Sequence, residues 1–245
     1  MIHTLKMDLY RMVTTPYLYL CMLGVCLLHL CNILGDLAAG MQPDYEQICF
    51  YLDGGFSIGD WVFCVIGGGL GFCGELRHGY VQYNIVRINK NIYCASKVIT
   101  AGLGGFFCSF LGLELFHGCY LLFLAISQGS FHQLIPPHMM NAVGENQGLI
   151  FGMSLMCAVL SMLGLLTALL VNDTFVSMAM PILFFYIYAN VGMTLLFPTY
   201  LLPAQVFYYS EGVLGKVYAF FVVVCVGIGC YYFMNWRIAR RLEHG

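Results

Sequence analysis

Charge is the scarcest property of this chain. Asp, Glu, Lys and Arg make up 9% of its 245 residues, against 60% hydrophobic ones, whereas a soluble domain carries about 25% charge. So little charge cannot cover a water-facing surface, which excludes a soluble globular domain. Long polar stretches are missing too, so the expected organisation is one membrane domain over residues 1–245. The few basic residues are dispersed, which excludes a nucleic-acid-binding patch. Twelve cysteines are present, but none stands in a C-x-x-C pair of the kind that binds zinc or does redox chemistry. They fall mostly in apolar stretches, where cysteine behaves as a small hydrophobe, and are expected to be reduced and structural; of the twelve, Cys49 and Cys119 are expected near the outer face, where a bridge between them is the alternative. No H-e-x-x-H motif exists, and the seven histidines are scattered without ligand spacing, so no metal site is expected. No Walker A motif exists either: around Gly215-Lys216 the chain has Ser210 and Val217 where Gly and Ser or Thr are needed.

What is present is apolar sequence in six blocks, near residues 17–34, 57–74, 98–116, 149–171, 175–196 and 216–235. Crossing about 30 Å of hydrocarbon takes about 20 such residues. The fold class expected is therefore an all-α polytopic membrane protein with six transmembrane helices. Nine of the ten Lys and Arg residues then fall on one side: Lys6 and Arg11; Arg77, Arg87, Lys90 and Lys97; Arg237, Arg240 and Arg241. Lys216 alone lies opposite. Basic residues near span ends stay cytoplasmic, so the expected place is the plasma membrane with both termini cytosolic. The first block is longer than a signal-peptide core and lacks an A-x-A-like cleavage site after it, so it is expected to stay as a membrane helix.

Between the blocks the chain carries local signals. Ile2, Leu5, Leu9, Met12 and Val13 recur at helical spacing around Lys6, Asp8 and Arg11, which predicts an amphipathic interfacial helix ended by Thr14-Thr15-Pro16; a frayed cytosolic tail is the alternative. The 35–56 segment has four acidic residues and no basic ones, as an outer loop should. The third span is expected to run long, to Ile126, past a weak point at His117-Gly118, and 127–148 to be irregular around Pro136-Pro137. Asn172-Asp173-Thr174 predicts a tight turn between spans four and five. Residues 197–212, apolar yet broken by Pro198 and Pro203, fit a re-entrant outer element before the last span. Tyr231, Tyr232 and Trp236 form an aromatic anchor beside the final arginines.

Two short motifs look chemical and are better explained by packing. Gly69-Leu-Gly71-Phe-Cys-Gly74 matches a dinucleotide fingerprint, but it ends an apolar span instead of opening a helix after a strand. Gly55-Phe-Ser57-Ile-Gly59 matches a nucleophile elbow without the sheet that motif requires. Small residues at Gly67/Gly71 spacing instead let helix backbones approach. No catalytic set is found. Glu114 is a candidate for the transport pathway, because ionisable groups in hydrocarbon are costly. It also stands 17 residues beyond Lys97, about 26 Å along a helix, where a solvated interface residue fits equally. Asp60 is expected to be solvated near the outer start of span two.

The stretch between spans two and three carries a resemblance. Glu75, three residues, Gly79, then Asn84, Arg87, Tyr93 and Ser96-Lys97 resemble the first cytosolic loop of the permease subunits of type 2 ABC exporters, which also share the six-span plan and the N-terminal amphipathic helix. That resemblance implies a permease without its own nucleotide site or bound cofactor. A separate cytosolic ABC ATPase would hydrolyse ATP and dock on Glu75, Arg77, Gly79, Asn84, Arg87, Lys90, Tyr93 and Lys97. A second permease subunit, identical or not, would complete the pathway. Peptides, lipids and toxic compounds are the cargo classes it implies. The alternative is an ATP-independent transporter or channel, although no internal repeat is visible between the two halves.

Overall fold

The computed structural model describes residues 2–38, 40, 58–128, 140–171, 173–194 and 212–243. Every secondary-structure element among them is a helix: α1 Ile2–Thr14, α2 Pro16–Ala38, α3 Ile58–Arg77, α4 Tyr80–Arg87, α5 Lys90–Gln128, α6 Met140–Val171, α7 Thr174–Thr194 and α8 Gly212–Glu243. Four of these are long and apolar enough to cross a membrane, over Pro16–Ala38, Lys90–Ile126, Asn146–Val171 and Gly215–Arg240. In α3 and α7 the apolar stretches are shorter, Ile58–Gly69 and Thr174–Tyr188. The re-entrant element expected over 197–212, together with His132, His138 and Cys49, lies outside the described residues.

α6 is the centre of the bundle. Its face is buried almost continuously from Ile150 to Leu169, and it packs against α3, α5, α7 and α8. Most of the large residues left exposed, such as Leu20, Leu27, Phe184, Phe220 and Phe221, stand on the outer flanks of α2, α7 and α8. That is the distribution a bundle in lipid should have, since hydrocarbon solvates such residues.

Glycine sets how closely the central helices meet. A side chain on Gly68 of α3 would begin 2.5 Å from the Ala101 carbonyl oxygen of α5, and would also collide with the Ser161 hydroxyl of α6. One on Gly104 would begin 2.8 Å from Gly68 Cα, and one on Gly105 2.6 Å from the Cys157 carbonyl. Three backbones therefore touch at one level, as small residues permit in membranes. There the Ser161 hydroxyl donates to the Ala101 carbonyl at 2.8 Å. The contact expected at Gly67/Gly71 is met by Gly67, beside Cys108, but Gly71 faces no neighbour.

Helix ends follow local chemistry. The Thr14 hydroxyl donates to the Tyr10 carbonyl at 2.9 Å, and Pro16 starts α2 at once, where its missing N–H costs nothing. Asp173 caps α7, accepting the Val176 N–H at 3.0 Å, so α6 and α7 form the tight hairpin expected of them. Within α7, Pro181 cannot donate to the Ser177 carbonyl; the Thr167 hydroxyl of α6 donates there instead, at 3.1 Å.

Two expectations fail. α5 does not weaken at His117-Gly118 but runs unbroken to Gln128, because Phe116, Tyr120 and Leu124 keep one face buried through that point. Part of the stretch expected to be irregular, 127–148, is helix instead: α5 continues to Gln128 and α6 begins at Met140.

The glycine contacts predict opposite outcomes for two neighbouring substitutions. Gly68→Ala should destabilise the purified protein by about 1–3 kcal/mol through overpacking, whereas Gly71→Ala should change little. Thermal unfolding in detergent would measure both, and equal shifts would contradict the three-helix contact.

Candidate functional site

The polar chemistry of the bundle gathers at the end carrying most of the positive charge. Lys97, in the second turn of α5, is buried and reaches two carboxylates: its Nζ donates to Asp8 Oδ1 of α1 at 3.0 Å and to Glu75 Oε1 of α3 at 2.6 Å. Ser96 donates to the other Asp8 oxygen at 2.6 Å, and Tyr93 to the other Glu75 oxygen at 2.8 Å. Arg11 approaches Glu75 from the surface at 3.9 Å. Two carboxylates thus face two cations, and all four carboxylate oxygens have a donor. A buried ammonium tolerates its lost hydration only under such conditions.

This cluster changes the meaning of α1. The apolar stripe expected to lie in the membrane interface is largely outside the bundle: Ile2 and Val13 are exposed, and Leu5, Leu9 and Met12 are half-buried. Among the described residues the buried position of α1 is Asp8. The helix is fastened by charge on its inner face and leaves apolar side chains on its outer face, where an interfacial helix meets acyl chains.

Above the cluster lies a sharp corner. Gly79 has a left-handed backbone, φ 70°, which a residue without Cβ adopts freely. It turns the chain from α3 into the two-turn helix α4, and the extended residue Ile88 turns it again into α5, its N–H bonding the Asn84 carbonyl at 2.8 Å. Val81 is buried beneath α4, while Tyr80, Tyr83, Val86 and Arg87 face outward, the Arg87 guanidinium lying 4.7 Å above the Tyr83 ring. The eight residues singled out between 75 and 97 therefore divide. Glu75, Tyr93 and Lys97 turn inward as the brace; Arg77, Gly79 and Arg87 are exposed; Asn84 and Lys90 are half-buried.

A second polar group sits toward the opposite end. His29 of α2, fully buried, pairs through Nε2 with Asp60 Oδ2 of α3 at 2.8 Å, with Phe116 of α5 5.1 Å from its ring. Asp60 is therefore not the solvated residue expected, but 3% exposed. It stands in the first turn of α3, where the helix dipole favours a negative charge. Glu114 of α5 is half-buried and accepts a hydrogen bond from Gln147 Nε2 of α6 at 3.3 Å. Lys216 reaches the same level, its Nζ 2.7 Å from where a Gly148 side chain would begin. Cys119 is exposed and Cys26 buried, both as free thiols. No group of three His, Cys, Asp or Glu side chains suited to a metal occurs among the described residues.

Sequence reasoning missed Asp8 and the His29–Asp60 pair. One signal for the first was available: an acid on the face of a helix that should otherwise meet apolar neighbours. Comparison with family models, curated proteins and solved structures yields no match.

The brace predicts strong coupling between its members. Lys97→Met leaves two buried carboxylates facing each other and should cost about 3–5 kcal/mol. Asp8→Asn with Lys97→Met should cost clearly less than the sum of the two single changes. A double-mutant cycle on thermal unfolding in detergent reads this, and strict additivity would contradict it.

Proposed function

We propose that this chain is the permease subunit of an ATP-driven exporter, crossing the membrane six times with both termini cytosolic and docking a separate ATPase on α4. The observation that supports this most is α4 itself. It is a short, outward-facing helix held between α3 and α5 at the basic end of the bundle, carrying two exposed tyrosines and an arginine over a buried brace. Interfaces draw their energy from such aromatic and Arg anchors. Mechanical coupling also requires that a push on the anchor reach the spans without being lost in a floppy loop, and the brace ties the flanking helices together directly below.

The six-span reading treats α3 and α7 as crossings. Their 20 and 21 residues give about 30 Å at 1.5 Å per residue, enough for the hydrocarbon core. The charge asymmetry then sets the orientation. A second copy or a related permease would complete the pathway, and cargo would be a peptide, a lipid or a toxic compound. Glu114, with Gln147 and Lys216, lies at the opposite end, where cargo would leave.

Arg87→Ala and Tyr83→Ala should each weaken retention of a Walker-type ATPase on the purified full-length protein by about 2 kcal/mol or more, the loss typical of an anchor residue. Unchanged retention in both, or transport that proceeds without any ATPase, would sink the docking role and favour an ATP-independent transporter. Glu114→Gln should slow transport while insertion and assembly stay normal; full transport would assign Glu114 to the solvated interface.

A further inference from the structure

Beneath α1, beside the brace, is an open cavity of about 610 Å³. We propose that it binds an anionic phospholipid of the leaflet at the basic end of the bundle, with the phosphate at the rim and the start of an acyl chain inside. The reading needs only that the bundle lies in a membrane, and holds whether or not an ATPase docks on α4.

The first observation is the gradient along the cavity. Its mouth is made by Arg11, Arg77 and His78, all exposed, and its interior by Leu18, Ile66 and Phe72. From Gly74 at the rim to Gly67 at the floor is seven residues of α3, about 10 Å of depth. A cavity polar at one end and apolar at the other matches an amphiphile better than water, which leaves apolar cavities empty.

The second is charge. The lining holds Arg11, Arg77 and Lys97 against Asp8 and Glu75, a net of +1 with histidine neutral. Lys97 already bridges both carboxylates. Arg77 makes no ion pair among the described residues, so its guanidinium is available to a phosphate diester, which it matches in geometry. Basic groups at this level of a membrane attract anionic headgroups.

The third is the identity of the wall. A side chain on Gly71 or Gly74 would meet nothing within 4 Å. These two glycines do not serve a helix contact, unlike Gly68. What they keep open is the cavity, and a larger side chain at Gly71 would fill the space an acyl chain needs.

Native mass spectrometry of the full-length protein from mixed micelles of equal phosphatidylglycerol and phosphatidylcholine tests the assignment. The wild type should retain one phosphatidylglycerol in preference to phosphatidylcholine. Arg77→Gln should weaken that retention about fivefold, the worth of one basic residue near an anionic surface. Gly71→Leu should abolish it while elution and helical content stay unchanged; should that variant misfold, Gly74→Leu and Arg77→Gln decide. Equal retention of both lipids by the wild type, full retention by the folded variants, or a peptide in place of lipid would each overturn the proposal.

Discussion

The buried ammonium of Lys97 is the constraint around which the basic end of the molecule is arranged. Alone in that position its charge would carry an uncompensated desolvation cost. It stays because α1 and α3 each bring a carboxylate to it, and because Ser96 and Tyr93 satisfy the oxygens it leaves over. Three elements distant in sequence are thereby fixed relative to one another. The position of α4 follows, since it spans the short gap between two helices that Lys97 has already joined.

Packing at mid-bundle complements that brace. Lipid tails are as apolar as leucine, so helices in a membrane gain little by hiding apolar side chains from them. Close backbone approach has to supply the contact, and Gly68, Gly104 and Gly105 permit it. The His29–Asp60 pair does a third kind of fastening toward the other end, joining α2 to α3. Each of α3's levels is therefore secured by different physics: ion pairing at one end, dispersion in the middle, a histidine–carboxylate hydrogen bond at the other.

How much of this the sequence announced depends on the range of the interaction. Features set within a turn or two were legible: the Thr14-Thr15-Pro16 stop, the tight turn at Asp173, the existence and order of the apolar helices. The interruption expected at His117-Gly118 was misjudged because local polarity was weighed without the stripe of Phe116, Tyr120 and Leu124 that overrides it. Partners far apart in the chain were not legible. Asp8 and Lys97 are separated by 89 positions, and nothing in either neighbourhood names the other. Asp60 read as solvated because its partner His29 lies on a different helix. The loop between 75 and 97 was visible as a unit, but which of its residues turn inward is decided by the brace.

The glycines of α3 show the same limit more sharply. Gly67, Gly68, Gly71 and Gly74 form one sequence pattern, and the pattern alone equates them. In the folded bundle all four border the space under α1, but Gly67 and Gly68 also press against neighbouring helices, whereas a side chain on Gly71 or Gly74 would meet nothing within 4 Å. A helix crossing brings two backbones together over only a turn or so before the axes diverge. Beyond that point a continued glycine stripe widens a gap instead of closing one. The same residue type therefore makes a close three-helix contact at Gly68 and leaves open space beside Gly71 and Gly74, within two turns further along α3.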